Sequence, residues 1–219
     1  MSKALSTVLG KSAYVFLDDI LVYSANYDRH IRDIEKVLLN LREAGLKLKL
    51  EKCVFFQEEI EYLGHRISGN GISCIQNDSL KNANRPQNVK SLQRFLGLAN
   101  YYRRFVPLFS NRAEALYRLL NKDVKFEWTE ECENSFQFLK NCLVSKPLLA
   151  HPNFNKTFYL FCDASNSGVG AVLMQSENTT EKKLKPIAYF SKSLNATQRR
   201  YSVTKKEFFA IHLALQTPT

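Results

Sequence analysis

Two adjacent carboxylates, Asp18 and Asp19, separate two short apolar runs, 13–17 and 20–23, in a chain of 219 residues. The runs favour β structure, so the pattern predicts a tight hairpin with both carboxylates at its tip. Carboxylates aimed at one point are what two-metal phosphoryl transfer requires, because Mg²⁺ takes oxygen ligands. Asp is also common in tight turns, where its side chain hydrogen-bonds the local backbone. Judged by residue type alone, the pair favours an ordinary turn over a metal site.

Two further carboxylates lie beside predicted elements later in the chain. Asp163 directly follows an apolar, β-prone run, which is typical of a turn residue. Glu207 closes a Thr-x-x-Glu sequence that begins at Thr204 and is typical of a capping box at a helix start. The apolar face of that helix is formed by Phe208, Ile211 and Leu215. The residue pattern alone therefore favours structural roles for both carboxylates.

The composition places the chain among ordinary folded proteins. Apolar residues make up 45% and charged residues 24%, and Lys and Arg exceed Asp and Glu by 31 to 21. A basic balance of this size points to polyanionic partners. The five cysteines form no Cys-x-x-Cys pair, which argues against a zinc ribbon or a disulfide framework. No apolar run approaches the roughly 18 residues that span a bilayer, so membrane and secreted classes are not expected.

The positive charge is concentrated in the middle of the chain. Residues 1–75 are balanced, whereas residues 81–118 carry a net charge of +7. Six aromatic residues are interleaved with these cations: Phe95, Tyr101, Tyr102, Phe105, Phe109 and Tyr117. Cations beside flat rings suit a nucleic-acid backbone and its bases. A solvated helical face above a packed aromatic stripe explains the same pattern equally well.

Local signals predict the elements of the first half. Apolar residues at helical spacing predict a helix over 31–41, followed by a half-buried strand over 46–50. A Gly-Asn-Gly turn between the apolar runs 60–68 and 72–75 predicts a hairpin.

The second half begins with helical signals and ends as a mixed domain. Asn88 is a predicted N-cap of a helix, and helical texture continues to about residue 143. Pro147 and Pro152 mark a predicted boundary. Beyond it, strands are predicted over 157–162, 168–175 and 187–191, with an exposed loop over 176–185.

Several motifs, in this order along the chain, resemble one protein family. They are FLDDILVYS at 16–24, GLKL at 45–48, KCVF at 52–55, EYLGHRIS at 61–68, SLQRFLGLANYYRRF at 91–105, FEWT at 126–129, DAS at 163–165, GVGAVL at 168–173, IAYFS at 187–191 and YSVTKKE at 201–207. The chain resembles the Pol polyprotein of Gypsy-type LTR retrotransposons, in which a reverse transcriptase precedes a ribonuclease H. No single motif is decisive, but their order along nearly the whole chain is specific.

The resemblance implies an α+β fold in three parts. Residues 1–80 would form the C-terminal part of a reverse transcriptase palm with its catalytic hairpin and primer grip. Residues 81–150 would form the thumb and connecting helices. Residues 151–219 would form the first part of a ribonuclease H-like domain, an incomplete sheet with its first helix.

The resemblance also implies a role for each candidate residue. Asp18 and Asp19 would be metal ligands of a polymerase, and Asp163 and Glu207 the first two of four ribonuclease H carboxylates, each site using two Mg²⁺ ions. Lys52 matches a palm lysine thought to protonate pyrophosphate, although an exposed lysine at a strand edge is an equal interpretation. The residues implied to contact a primer–template or an RNA–DNA hybrid are Leu63, Gly64, His65, Lys90, Arg94, Tyr101, Tyr102, Arg103 and Arg104.

The chain also departs from the family pattern. Phe16 stands where the family usually has Tyr. Another palm Asp and the nucleotide-binding fingers would precede residue 1, and the last two ribonuclease H carboxylates would follow residue 219. We therefore expect the isolated chain to be inactive and to use deoxynucleotides only together with the missing palm and fingers.

Two other interpretations stay open: a nucleic-acid-binding remnant or retained host-gene product without catalysis, and a truncated reading frame. The expected location is the cytoplasm, in a virus-like particle, or the nucleus.

Overall fold

A computed structural model describes residues 1–75, 81–145, 147–176 and 183–216. It divides into two compact units, 1–57 and 58–219. The predicted boundary near residue 150 does not separate units, because strands and helices from both sides of it contact each other within 58–219. No helix in the described residues is both long and apolar enough to cross a membrane.

The first unit is a hairpin packed on one helix. Strands β1 (Ala13–Phe16) and β2 (Asp19–Val22) are antiparallel, with Phe16 opposite Asp19. This confirms the predicted hairpin. Helix α1 (Tyr27–Glu43) is capped by the Asn26 side chain and buries Val37 and Leu41 against the hairpin.

The predicted strand over 46–50 is wrong. The backbone there pairs with no other strand in the described part of the chain, and a 3₁₀ turn begins at Leu50 (Leu50–Lys52). Leu46 and Leu48 are exposed. An alternating apolar pattern becomes a strand only where a partner strand is present to accept its backbone hydrogen bonds.

The second unit opens with an antiparallel sheet in the order β3-β4-β5-β6. Its strands are β3 (Glu59–Tyr62), β4 (His65–Ser68), β5 (Gly71–Cys74) and β6 (Leu148–Leu149). The hairpin predicted around residues 69–71 is confirmed as β4–β5. Gly71 has φ +143, and a Cβ there would meet the Leu149 carbonyl oxygen, so only glycine fits beside β6.

Helices follow the sheet and supply most of the core. Their bounds are α2 (Val89–Tyr101), a 3₁₀ turn (Arg103–Phe105), α3 (Phe109–Arg112), α4 (Glu114–Arg118) and α5 (Glu130–Val144). The predicted cap is confirmed, since the Asn88 side chain accepts a hydrogen bond from the Ser91 amide. The largest fully buried side chains of this core are Phe105, Phe109 and Phe136.

The last part is a three-stranded antiparallel sheet with a helix on one face. Its elements are β7 (Phe158–Ala164), β8 (Gly168–Ser176), β9 (Leu184–Ser193), α6 (Ala196–Arg199) and α7 (Val203–Gln216). The three predicted strands are confirmed. Most of the predicted loop, 177–182, lies outside the described residues.

Two expectations about α7 are wrong. The Ser202 hydroxyl, and not Thr204, accepts the hydrogen bond from the helix-start amide of Lys205, so Glu207 does not close a capping box. The predicted apolar stripe is exposed, with Phe208 at 68%, while the small residues Ala210 and Ala214 are buried. Small side chains let the helix lie close to the sheet.

Candidate nucleic-acid interface and metal-binding carboxylates

The turn between β3 and β4 has an unusual backbone. Tyr62 pairs with His65, so only Leu63 and Gly64 form the turn. Both are left-handed, with φ +47 at Leu63 and +71 at Gly64. Such a two-residue turn matches the twist of the strands. Glycine adopts positive φ freely, but a leucine there is strained and needs support from its surroundings.

Two tyrosines from the end of α2 supply this support. The Tyr101 hydroxyl donates to the Leu63 carbonyl at 2.5 Å, and the Tyr102 hydroxyl donates to the Gly64 carbonyl at 2.7 Å. A Cβ at Gly64 would lie 2.8 Å from the Tyr101 hydroxyl oxygen, closer than real Cβ contacts. We call the Leu63–Gly64 turn and these two tyrosines the tyrosine clamp.

The ring of His65 packs inside this clamp. It stacks on Tyr101 at 5.4 Å and 7° and meets Tyr102 edge-on at 5.6 Å. Burial lowers the pKa of His65, and the nearby Arg104 guanidinium lowers that pKa further. The Nδ1 atom is buried without a hydrogen-bond partner in the described part of the chain. His65 therefore acts as a neutral ring at neutral pH.

One face of α2 is exposed and basic. Lys90, Arg94, Gly97 and Tyr101 recur at spacings of four, three and four residues, which places them on one side of the helix. All four are exposed, as is Arg104 just beyond the helix. We call this set the α2 strip. Together with the Leu63–Gly64 turn and His65, which stacks on Tyr101, the strip contains seven of the nine residues predicted to bind nucleic acid.

Gly97 was not among the residues predicted from the sequence. No atom lies within 4 Å of the Cβ that another residue would have there, so internal packing does not require glycine. Glycine inside a helix costs about 1 kcal/mol relative to alanine. In the middle of the α2 strip, a glycine leaves a shallow surface between the neighbouring side chains. An exposed mid-helix glycine between cations is a signal that could have identified it.

Direct nucleic-acid contacts by Tyr102 and Arg103 are not supported. Tyr102 is only 3% exposed, because its ring lies in the helical core. The Arg103 guanidinium is half-buried, donates to the Ser191 carbonyl and lies over the Phe109 ring. Both side chains are instead engaged in hydrogen bonds to backbone carbonyls of the protein itself.

The polymerase-like carboxylates are accessible. Asp18 and Asp19 are exposed, and Leu17 beside them has φ +54. Asp19 is fixed by its pairing with Phe16, whereas Asp18 lies in the turn itself. Lys52 is also exposed, at the end of the 3₁₀ turn of the same unit.

The ribonuclease H-like carboxylates come from neighbouring elements. Asp163 is exposed on β7, opposite Gly170 of β8. Glu207 is half-buried on α7, which packs on this sheet. Burial, and then the charge of Glu207, raise the pKa of Cys162, so the Glu207 carboxylate lies beside the strand that carries Asp163. Beside Glu207, Lys206 is 6% exposed and donates to the Asn166 side chain at 3.0 Å.

Each pair has donor atoms of the kind that a metal site uses. Carboxylate oxygens are the donors that Mg²⁺ prefers, so the chemistry of both pairs fits this ion. The described residues contain no group of three or more His, Cys, Asp or Glu side chains that could hold a metal. Asp18 with Asp19, and Asp163 with Glu207, would therefore need further ligands to complete a site.

Known proteins share both the sequence and the fold. Residues 1–67 match the family described as reverse transcriptase (RNA-dependent DNA polymerase), and residues 128–218 match an RNase H-like domain found in reverse transcriptase. The chain is 37% identical over 218 residues to the Tf2-3 transposon polyprotein of Schizosaccharomyces pombe. This match covers 97% of the chain and 16% of the relative. The Pol polyprotein from transposon 412 of Drosophila melanogaster is 36% identical over 98% of the chain and 17% of its own length.

Two solved structures of the foamy viral protease-reverse transcriptase superpose with a TM-score of 0.82 and 27% identity. One is in complex with double-stranded DNA and the other with an RNA/DNA hybrid. Both cover 98% of this chain, and this chain covers 37% and 29% of theirs. The curated relatives are longer still, since the chain spans about one sixth of their length.

Proposed function

We propose that this chain binds a nucleic-acid duplex along the α2 strip and receives the duplex end at the Leu63–Gly64 turn. The chain belongs to the family of retrotransposon Pol polyproteins and corresponds to their reverse transcriptase and ribonuclease H portion. The α2 strip carries this proposal, because its cations are exposed, share one helix face and lead directly to the clamped turn. The superposed viral structures are complexes with double-stranded DNA and with an RNA/DNA hybrid, which supports a duplex as the ligand.

In the complete polyprotein we propose two activities. The first is copying of RNA into DNA by attack of a primer 3′-hydroxyl on a nucleotide α-phosphate, and the second is hydrolysis of the RNA strand of a hybrid. Asp18 and Asp19 would ligate Mg²⁺ for the first, and Asp163 and Glu207 for the second. Bound Mg²⁺ would neutralise charge that develops on the phosphate. Lys52 is the proposed proton donor to pyrophosphate.

The binding proposal is tested by fluorescence anisotropy of the full chain with an RNA–DNA hybrid at increasing salt. Each lost phosphate contact reduces the slope of log K against log salt by about one. We therefore expect Lys90→Gln with Arg94→Gln to lower the slope by about two. Lys122→Gln with Lys125→Gln removes the same charge from exposed positions off α2 and serves as the control. Equal slopes for the two double variants would contradict the proposal.

A second experiment distinguishes an enzyme from a protein that binds nucleic acid without catalysis. Primer extension and hybrid cleavage are measured with Mg²⁺, using the chain alone and together with an upstream palm fragment. Turnover that Asp19→Asn or Asp163→Asn abolishes supports the enzymatic roles. Salt-dependent binding with no turnover under either condition supports a nucleic-acid-binding remnant.

A further inference from the structure

A buried tyrosine connects the α2 strip to the turn that receives the duplex end. We propose that Tyr102 is a positioning residue that lets the chain distinguish a duplex end from continuous duplex. The inference deepens the proposed function and rests on it. Tyr102 is buried, so it reaches the nucleic acid only through the backbone it holds.

The hydrogen bond of Tyr102 is directed at the part of the turn that needs support. Its hydroxyl donates to the Gly64 carbonyl, directly after the strained leucine. Tyr101 donates to the preceding carbonyl, so two successive residues of one helix hold two successive carbonyls of the turn. The turn is thereby fixed to the end of the helix that carries Lys90 and Arg94.

The environment of Tyr102 keeps this bond in place. Burial raises the pKa of Tyr102, so its hydroxyl stays protonated and can donate. Its ring also packs edge-on against His65 and Phe105. Removing the hydroxyl alone leaves these ring contacts and frees only the turn.

Tyr101 differs from Tyr102 in one decisive respect. Tyr101 is 51% exposed on the α2 strip, so it can stack on a nucleic acid and also hold the turn. A Tyr101 variant therefore mixes two effects. Tyr102 isolates the positioning effect, because it is almost fully buried.

The test compares the affinity of the full chain for two hybrids of the same sequence. One has a recessed 3′ end, and the other is a dumbbell closed by loops at both ends, which lacks any strand end. We expect the wild type to prefer the recessed end. A lost neutral hydrogen bond should reduce this preference about two- to tenfold in Tyr102→Phe. The dumbbell affinity and its salt dependence should stay unchanged.

Tyr117→Phe is the matched control, because its hydroxyl on α4 makes no hydrogen bond to the turn in the described part of the chain. If Tyr102→Phe weakens both hybrids equally, or leaves the preference intact, the positioning role is overturned. A wild type that binds both hybrids equally, or neither, overturns the proposed function instead.

A second pair of measurements separates positioning from misfolding. Amide exchange at Gly64 and His65 should accelerate in Tyr102→Phe, while exchange within α2 should not. Adding Leu63→Asn should restore part of the preference, because asparagine tolerates positive φ better than leucine. Acceleration across the whole of 58–145 would show that the hydroxyl only maintains the fold and would overturn the proposal.

Discussion

The two polymerase-like hairpins of this chain have turns of the same length, but different parts of each hairpin are held by the surrounding structure. Both turns have two residues and begin with a leucine of positive φ, Leu17 at +54 and Leu63 at +47. The β1–β2 hairpin is fixed at its base, where the Ser24 hydroxyl donates to the buried Asp33 at 2.8 Å. The β3–β4 hairpin is fixed at its tip by the tyrosine clamp.

The two hairpins are held at different places because their tips expose different chemical groups. In the described part of the chain, no hydrogen bond from outside the hairpin reaches Leu17 or Asp18, and Leu17 is 78% exposed. That tip presents carboxylates that need further ligands to hold a metal. The β3–β4 tip presents backbone, whose shape must be set by the protein itself. Stability and function should therefore be coupled at the second tip and separate at the first.

The largest effect is expected at the core beneath the clamp. Phe105 is 1% exposed and packs against His65 and Tyr102. Phe105→Ala should destabilise the second unit by about 3–5 kcal/mol, because it leaves a cavity. Urea unfolding followed by the single tryptophan, Trp128, measures this effect within 58–219.

The exposed Phe154 of the same unit supplies the control. Phe154→Ala should change stability by less than about 0.5 kcal/mol. A similar loss for both variants would mean that the clamp does not rest on a packed core.

Substitutions at two glycines with nearly the same φ show how tightly the clamp holds its turn. Gly64 has φ +71 and Gly45 has φ +69, but only Gly64 is crowded, by Tyr101. Gly45→Ala should cost only the conformational penalty of about 1 kcal/mol. Gly64→Ala adds a clash and should cost about 1–3 kcal/mol more. Urea unfolding of each variant, followed by backbone NMR signals of its own unit, gives both values.

Equal losses at the two glycines would show that the tyrosines yield to an added methyl group. The β3–β4 tip would then be as loosely held as the β1–β2 tip. In that case the contrast between the hairpins would disappear.

The clamp should also weaken in acid. The pKa of His65 lies below its ordinary value of 6.5, through burial and then Arg104. Cys74, which faces His65 across the sheet, has a pKa raised to about 12 and stays neutral. The unfolded chain therefore binds the His65 proton more tightly than the folded chain. Stability from this group is present above about pH 6.5 and is lost as the pH falls further.

Urea unfolding between pH 8 and pH 5 measures this dependence through Trp128 fluorescence. His65→Phe keeps a ring in the stack and should remove most of the dependence. The exposed His212 provides the control, and His212→Gln should leave the dependence in place. A profile unchanged by His65→Phe would show that the ring is not held neutral by its surroundings.

Local signals predicted the β1–β2 and β4–β5 hairpins and the Asn88 cap, because each depends on neighbouring residues. They did not predict the Leu63–Gly64 turn, which divides the predicted apolar run 60–68 into β3 and β4. The tyrosine clamp could not be predicted in this way, since its hydrogen bonds join residues 38 positions apart. The same reason explains the exposed apolar stripe of α7 and the missing strand over 46–50. Periodicity shows which face of an element is apolar, whereas the presence of a partner for that face depends on the rest of the fold.

The smallest stability effect is expected at the first tip. Asp18→Asn removes a charge that is exposed and accepts no hydrogen bond from outside the hairpin in the described residues. The urea midpoint of the first unit, measured by NMR signals from α1, should therefore stay within error of the wild type. Asp33→Asn, on α1 beside the base of the same hairpin, should lower that midpoint, because it weakens the contacts of the buried Asp33 carboxylate to Ser24 and Arg29.

This pair of variants distinguishes the two interpretations of the Asp18-Asp19 turn, an ordinary turn and a metal site. An aspartate that serves only the turn stabilises it by hydrogen-bonding the local backbone, so its replacement must lower the stability of the folded unit. A metal ligand is free of such bonds and repels its neighbouring carboxylate until a cation binds, so its loss leaves the folded state unaffected or slightly more stable. A lower midpoint in Asp18→Asn would therefore favour the ordinary turn, and the metal role would then have to rest on Asp19 alone.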